Sequence, residues 1–547
     1  MFNLRLSCLF LSFGGFILPV IAYAQDPPKP AAGEGEQLTR GPIHEAFGQP
    51  TAFDPEPGLI VPKAPPAAIE ELPPDQKPEG DNVAWMPGYW AYDDEAKAYI
   101  WVSGFWRTLP PDRKWVSGYW IEAEGGHQWV SGFWASEKTT ELEYLPPPPE
   151  SLENGPNTEP AAGQLWMPGC WLWQSNRYAW RPGYWTVADA DWLWVPCHYE
   201  WSPNGHVFVD GYYDYPLYRR GLLFAPVSFA SIGPGFVYRP SVVIDTRFLA
   251  FSLFARPRYQ HYYFGDYYDA SYVRGGIYPW YSFHYSRHGY DPIYAHTSFV
   301  RGRSDPRWDA NLRASYLDRR DTVGARPPRT YGAYNEWARK TAGTGGQALA
   351  IARPLTEVST ERDFPVRVQK ITEKQVELIK NENKQVRQFR DERVRVEKAG
   401  ASELPQSPSD PKGKTRTEAS KVKLPNTPRV ALPGGKTTAL KTPPVAPTFP
   451  DVNAKATPPA VRGKGRTLPT PAEIIGRQPP KGKAVDPTPA PKVNPLPTKD
   501  PIPPPKVNPP VPKKEPPPPP KVNPPFPKKE PPPPPKKGPP PKKKDKD

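Results

Sequence analysis

The chain has little of what most catalytic and membrane-spanning proteins depend on. No serine nucleophile elbow, phosphate-binding P-loop, His-Glu-x-x-His pair or dinucleotide fingerprint occurs in its 547 residues. This argues against an enzyme and against any cofactor. Beyond the first two dozen residues no run is apolar enough to span a bilayer, which takes about 20 residues. Cysteine is scarce, with three in all. Cys8 lies in the leader, so only Cys170 and Cys197 are left to pair, and an oxidising compartment would permit one disulfide between them. Histidine is also scarce, yet four of the eight (His261, His284, His288 and His296) fall within 36 residues. His284 and His288, spaced i, i+4, are metal-ligand candidates if they share a helix face. Gly289 and the aromatic neighbours speak against a helix there and favour polar histidines satisfied among tyrosines and aspartates.

What is abundant is proline, with 83 residues clustered toward the two ends, and aromatic side chains in between. The N-terminus reads as a secretory signal: Arg5, an apolar stretch Leu9–Ile21, then Ala22-Tyr23-Ala24 as a small-x-small cleavage pattern. The mature chain then begins at Gln25 and retains no transmembrane span. The net charge of +14 is unevenly placed. Residues 401–547 carry 29 Lys/Arg against 11 Asp/Glu, an excess of 18, so the remainder is at −4.

A repeat organises the middle of the chain. Trp85-Met-Pro-Gly-Tyr-Trp90, Trp101-Val-Ser-Gly-Phe-Trp106, Trp115-Val-Ser-Gly-Tyr-Trp120 and Trp129-Val-Ser-Gly-Phe-Trp134 start 16, 14 and 14 residues apart. After a spacer with Pro146–Pro149 come Trp166-Met-Pro-Gly-Cys-Trp171, Trp180-Arg-Pro-Gly-Tyr-Trp185, and two degenerate units, Trp194-Val-Pro-Cys-His-Tyr199 and Phe208-Val-Asp-Gly-Tyr-Tyr213, at a steady spacing of 14. β-Forming residues surround each motif. Turn signals lie between motifs at Pro110–Asp112, Gly125-Gly126, Gln174–Asn176, Ala188–Ala190 and Pro203–Gly205. The expected fold is mainly β, an antiparallel meander of 14-residue Trp-rich repeats. The Pro/Ser-Gly step is read as a bulge; the alternative is a turn that splits each unit into two short strands.

The remaining expectations follow from composition. Residues 25–80 read as a disordered Pro-rich linker, 81–137 as repeat block one, 138–163 as a Pro-rich spacer and 164–213 as block two. Residues 214–345 form a smaller Tyr/Arg-rich α+β region. Within it Ser304-Asp305-Pro306 reads as a helix start, with Trp308, Leu312 and Tyr316 on one helical face. A linker, 346–371, precedes a solvent-exposed helix, 372–399, opened by a Thr372/Gln375 capping box. The basic tail, 400–547, repeats Pro-Lys-Val-Asn-Pro and reads as a disordered, extended spacer.

Two roles fit the aromatic repeats. Either the rings are the core, or Trp90, Trp106, Trp120, Trp134, Trp171 and Trp185 present indole faces on which sugar rings stack. The lysine-rich tail attracts polyanions by counterion release. In an exported protein these are anionic envelope polymers or polysaccharide, not cytosolic nucleic acid. The expected function is therefore a non-enzymatic, envelope-associated structural or interaction protein in the periplasm or outside the cell. Carbohydrate binding is the alternative.

The Trp-x-x-Gly-x-Trp units at 85–213 resemble the YXWGXW (WXXGXW) repeat proteins of bacteria. The last two units depart from the pattern: Cys197 replaces the glycine, and Phe208 and Tyr213 replace tryptophans. The resemblance implies an exported bacterial repeat protein and brings no catalytic residues with it.

Overall fold

A computed structural model describes residues 35–156, 158, 160–341, 351–401, 420–423 and 443–444. The segment read as a signal sequence and nearly all of the basic tail lie outside the described residues.

The eight repeat units fold two by two. In the first pair, Tyr89–Asp93 runs antiparallel to Ala98–Val102, and Val83–Met86 to Phe105–Thr108. This is one hairpin, interrupted in both strands at the same level by Pro87-Gly88 and Ser103-Gly104. Each unit is thus two short strands, but the chain does not reverse at the break, and the expected bulge becomes a matched gap in both strands. The registers repeat the arrangement. Trp85 faces Trp106 and Trp90 faces Trp101; Trp115 faces Trp134 and Trp120 faces Trp129; Trp166 faces Trp185 and Trp171 faces Trp180; Trp194 faces Tyr213 and Tyr199 faces Phe208. In the first pair the facing indoles meet edge to face, 5.2 Å between ring centres.

Three of the turn signals close these hairpins. Ser175 and Asn176 both take positive φ, 50° and 58°, as a two-residue loop between Gln174 and Arg177 requires. Gly125-Gly126 and Pro203–Gly205 close the second and fourth hairpins. The other two signals, Pro110–Asp112 and Ala188–Ala190, join one pair to the next. The antiparallel pairing expected from the repeats is therefore present, and it is closed within each pair.

Among the described residues, the segments read as linkers are folded. From Gly35 onward the chain straps across the hairpins. Gly35–Gln37 pairs with Val227–Phe229, Ile60–Val61 adds to the second hairpin at His127–Gln128, and Glu70–Glu71 runs parallel to Val237–Tyr238. Within the spacer, Glu141–Leu145 pairs with the fourth hairpin on one edge and with Ser420–Lys423 of the tail on the other. Proline content was a poor guide because these straps bury side chains and hydrogen bonds between hairpins, which an isolated linker has no means of doing.

Beyond the repeats, Trp308, Leu312 and Tyr316 are buried on one face of the helix Trp308–Asp321, as their spacing predicts. The helix Glu373–Ala401 opens with the expected capping box. The Thr372 N–H donates to Gln375 Oε1 (2.9 Å) and the Gln375 N–H to Thr372 Oγ1 (3.3 Å). It is not solvent-exposed on all sides. Ile379, Asn383, Phe389, Arg393 and Glu397 form a buried face. Arg393 pairs with Glu397 at 2.7 Å and donates to the Ser117 carbonyl at 2.8 Å, while the hydroxyls of Tyr119 and Tyr144 donate to Glu397. The buried stripe is partly ionic, which an apolar-periodicity reading cannot see. No helix among the described residues is long and apolar enough to cross a membrane.

Candidate functional site: glycine nests of the paired repeats

Each motif glycine lies beneath the first aromatic ring of its partner unit. A Cβ on Gly104 would sit 2.6 Å from the Trp85 ring and 2.7 Å from the Met86 carbonyl. On Gly118 and Gly132 it would meet the rings of Trp129 and Trp115 at 2.5 Å. On Gly169 and Gly183 it would meet Trp180 at 2.4 Å and Trp166 at 2.3 Å. The spacing of the motif now has a cause. The tryptophan at position one covers the glycine at position four of the opposite unit, and only glycine leaves room for the ring.

The close approach leaves two backbone N–H groups side by side at the centre of the hairpin, and a glutamate from a strap fills the place between them. In the first pair Glu71 accepts from Gly88 N–H (2.8 Å), Gly104 N–H (2.8 Å) and the Trp101 indole N–H (3.1 Å). In the second, Glu45 accepts from Gly118 N–H (3.2 Å), Gly132 N–H (3.1 Å) and the Trp129 indole (3.2 Å). In the third, Glu153 accepts from Gly169 N–H, from the Trp166 indole (3.0 Å) and from its own strap's Gly155 N–H (2.7 Å). Burial pushes the Glu45 and Glu71 carboxyls up to about 7, against N–H donors that favour the charged form.

In the first and third pairs the second tryptophan of each motif grips the strap on either side of its glutamate. Around Glu71, Trp90 donates to the Ala67 carbonyl and Trp106 to the Gln76 carbonyl, both at 2.9 Å. Around Glu153, Trp171 donates to the Glu150 carbonyl (3.1 Å) and Trp185 to the Thr158 hydroxyl (2.9 Å). The Glu45 strap is held differently. Arg107 and Arg220 donate to the carbonyls of Ala46 (3.0 Å) and Phe47 (2.5 Å) while both pair with buried Asp214. His44, kept neutral by burial, bridges the Ala46 N–H and the Pro87 carbonyl. The first repeat pair is thus a receptor for an extended segment: two peptide N–H groups and an indole for one carboxylate, flanked by two further indoles for the backbone.

The expected site residues divide accordingly. Trp90, Trp106 and Trp134 are buried and present no open face; Trp120, Trp171 and Trp185 are half-buried. His284 and His288 do not share a helix, because the helix Trp280–His284 ends at the first of them. The His284 ring packs against Tyr290 and Tyr294, and His288 is exposed. Among the described residues no group of three His, Cys, Asp or Glu is placed to hold a metal ion. Cys170 and Cys197 are brought together in one buried cluster. The glutamates that complete the nests were missed by sequence reasoning; Glu71 and Glu153 lie 17 and 16 residues before Gly88 and Gly169, whereas Glu45 lies 73 residues before Gly118. A separate cleft of about 120 Å³ is lined by Arg40, Asp93, Asp94, Glu95, Arg256 and Tyr272. Its charges are spent on one another, with Arg40 paired to Glu95 at 2.8 Å and Arg256 to Asp94.

The chain is a WXXGXW-repeat protein: the family's two-copy repeat model matches residues 80–107, 162–186 and 190–212. The second pair, 115–134, lies outside those spans but has the same registers and the same nest. No curated protein and no solved structure matches the chain.

Proposed function

We propose that this protein is an exported, non-enzymatic scaffold of the cell envelope, with a rigid strap-and-hairpin head and a basic tail that contacts anionic envelope polymers. The observation that carries the reading is the segregation of charge: an excess of 18 positive charges in residues 401–547 against −4 elsewhere. Lysine pairs on a proline-rich chain bind polyanions through counterion release, so the contact weakens steeply with salt. The head's conspicuous binding apparatus, the nests, is occupied by its own glutamates. That use is architectural and supports a scaffold.

Co-sedimentation of the full chain with isolated envelope material, at low and high salt, tests this against a variant ending at 424. Binding that needs the tail and is lost in salt is the expected result. Binding that survives both changes would reject the electrostatic contact and favour the second reading, carbohydrate binding. That reading draws on one observation, the half-buried indoles of the third pair, Trp166, Trp171, Trp180 and Trp185.

A further inference from the structure

The fourth repeat pair departs from the other three at the residues that build the nest. Cys197 stands where its siblings have glycine, and Phe208, a smaller ring, stands where the covering tryptophan belongs. The remaining half of the pattern is intact, with the Trp194 ring 2.5 Å from a Cβ built on Gly211. No strap glutamate enters this pair among the described residues. The third pair has a departure of its own. The fifth position of a unit is aromatic in six of the eight, Tyr89, Phe105, Tyr119, Phe133, Tyr184 and Tyr212; in the unit at 166 it is Cys170.

These two departures meet in space. Cys170 and Cys197 are both buried free thiols and line the same small cavity. Both sit in one buried cluster with Leu145 and Tyr199, at a small cavity roofed by Pro148 and Ser151 of the Glu153 strap. We infer that Cys170 and Cys197 are a disulfide-forming pair, and that this covalent link ties the fourth hairpin to the third in place of a strap glutamate. Two independent departures from an otherwise regular repeat, placed against each other, carry the inference. The surroundings set the roles: contact with Cys170, helped by Arg181 and His198, draws the Cys197 thiol down and makes it the attacking sulfur, while the same contact and burial hold the Cys170 thiol up.

With glutathione disulfide as oxidant, the Cys197 thiolate attacks one sulfur, breaks that S–S bond and releases one glutathione thiolate. The Cys170 thiolate then attacks the mixed disulfide at the Cys197 sulfur and releases the second. One protein S–S bond forms, one glutathione S–S bond breaks, and the two protein thiol protons pass to the two glutathione thiolates.

The test uses the full chain, equilibrated with glutathione disulfide both as folded protein and during refolding from denaturant, so that access to the buried pair does not limit the outcome. After acid quench and alkylation, non-reducing peptide mapping is expected to give a Cys170–Cys197 linked peptide, two hydrogens lighter than the separate thiols. Cys8, where present, is expected to be alkylated. Melting of the oxidised protein should shift down on reduction, and Cys197→Ser should abolish that shift. Alkylation of both Cys170 and Cys197 after refolding in the oxidant would overturn the inference, as would linkage to Cys8 or to a second chain.

Discussion

The first and third repeat pairs carry the same motif and meet different fates. In the first, Trp85, Trp90, Trp101 and Trp106 are all buried, Trp106 completely. In the third, Trp166, Trp171, Trp180 and Trp185 all stay half-buried. Registers, covering rings and strap glutamate are shared, so the motif and its carboxylate fix the hairpin without fixing its depth. The first pair is further covered by residues from the Tyr-rich region. Gly221–Leu222 adds to one of its edges, and Val227–Phe229 contacts another at Trp101. The motif is therefore a local construction rule, and burial is conferred by what else the chain lays on top.

The sharpest way to break this comparison is to remove the carboxylates. Glu71→Ala leaves three buried N–H donors without an acceptor, and at about 1–3 kcal/mol for each unsatisfied group a loss of about 3–5 kcal/mol is expected. Glu153→Ala does the same where the indoles are half-buried and water can reach them, so about 1–2 kcal/mol is expected. Denaturant titration of both variants checks the order. Equal losses would mean that burial does not set the strength of the nest.

A smaller effect separates burial from hydrogen bonding within one nest. The Glu71 carboxyl, raised from 4.5 to about 7 by burial, holds its proton more tightly in the folded than in the unfolded state. Stability from this group is therefore fully present below the unfolded value and is lost as pH rises through the folded one. Glu71→Gln has no such titration. The stability of the native protein relative to Glu71→Gln should fall by up to about 3 kcal/mol between pH 5 and pH 8. Melting curves of the two proteins across that range decide it. A gap that widens with pH would mean that the three N–H donors outweigh burial.

Much of this was legible in the sequence, and the missing part has a physical reason. The eight units, the hairpin turns at Ser175-Asn176 and Gly125-Gly126, the Trp308/Leu312/Tyr316 face and the Thr372 capping box are all local patterns, written in residues a few positions apart. Glu45 and Glu71 are not. Glu45 serves glycines 73 and 87 residues away from within a Pro-rich stretch, and nothing local marks it. Arg393 and Glu397 escaped for a related reason: a charged pair on a helix is ordinarily solvated, and only the facing Tyr119 and Tyr144 hydroxyls make it a buried one.

The smallest expected effect tests the covering rule itself, in the pair that departs from it. The register places Phe208 opposite Tyr199 as Trp129 stands opposite Trp120, so Phe208 occupies the ring position over Cys197 that Trp129 occupies over Gly118. If ring size and the position-four side chain are matched, each single change must hurt. Phe208→Trp drives a larger ring onto the cysteine, and Cys197→Gly leaves a void beneath the phenylalanine; each should cost about 1–2 kcal/mol. The double variant restores the pattern of the other pairs. Its loss should fall short of the sum by about 1 kcal/mol, a coupling within the range for residues in contact. The cycle is measured under reducing conditions, so that any Cys170–Cys197 link plays no part. Additive losses would mean that the ring-over-glycine contact is a consequence of the hairpin and not one of its causes.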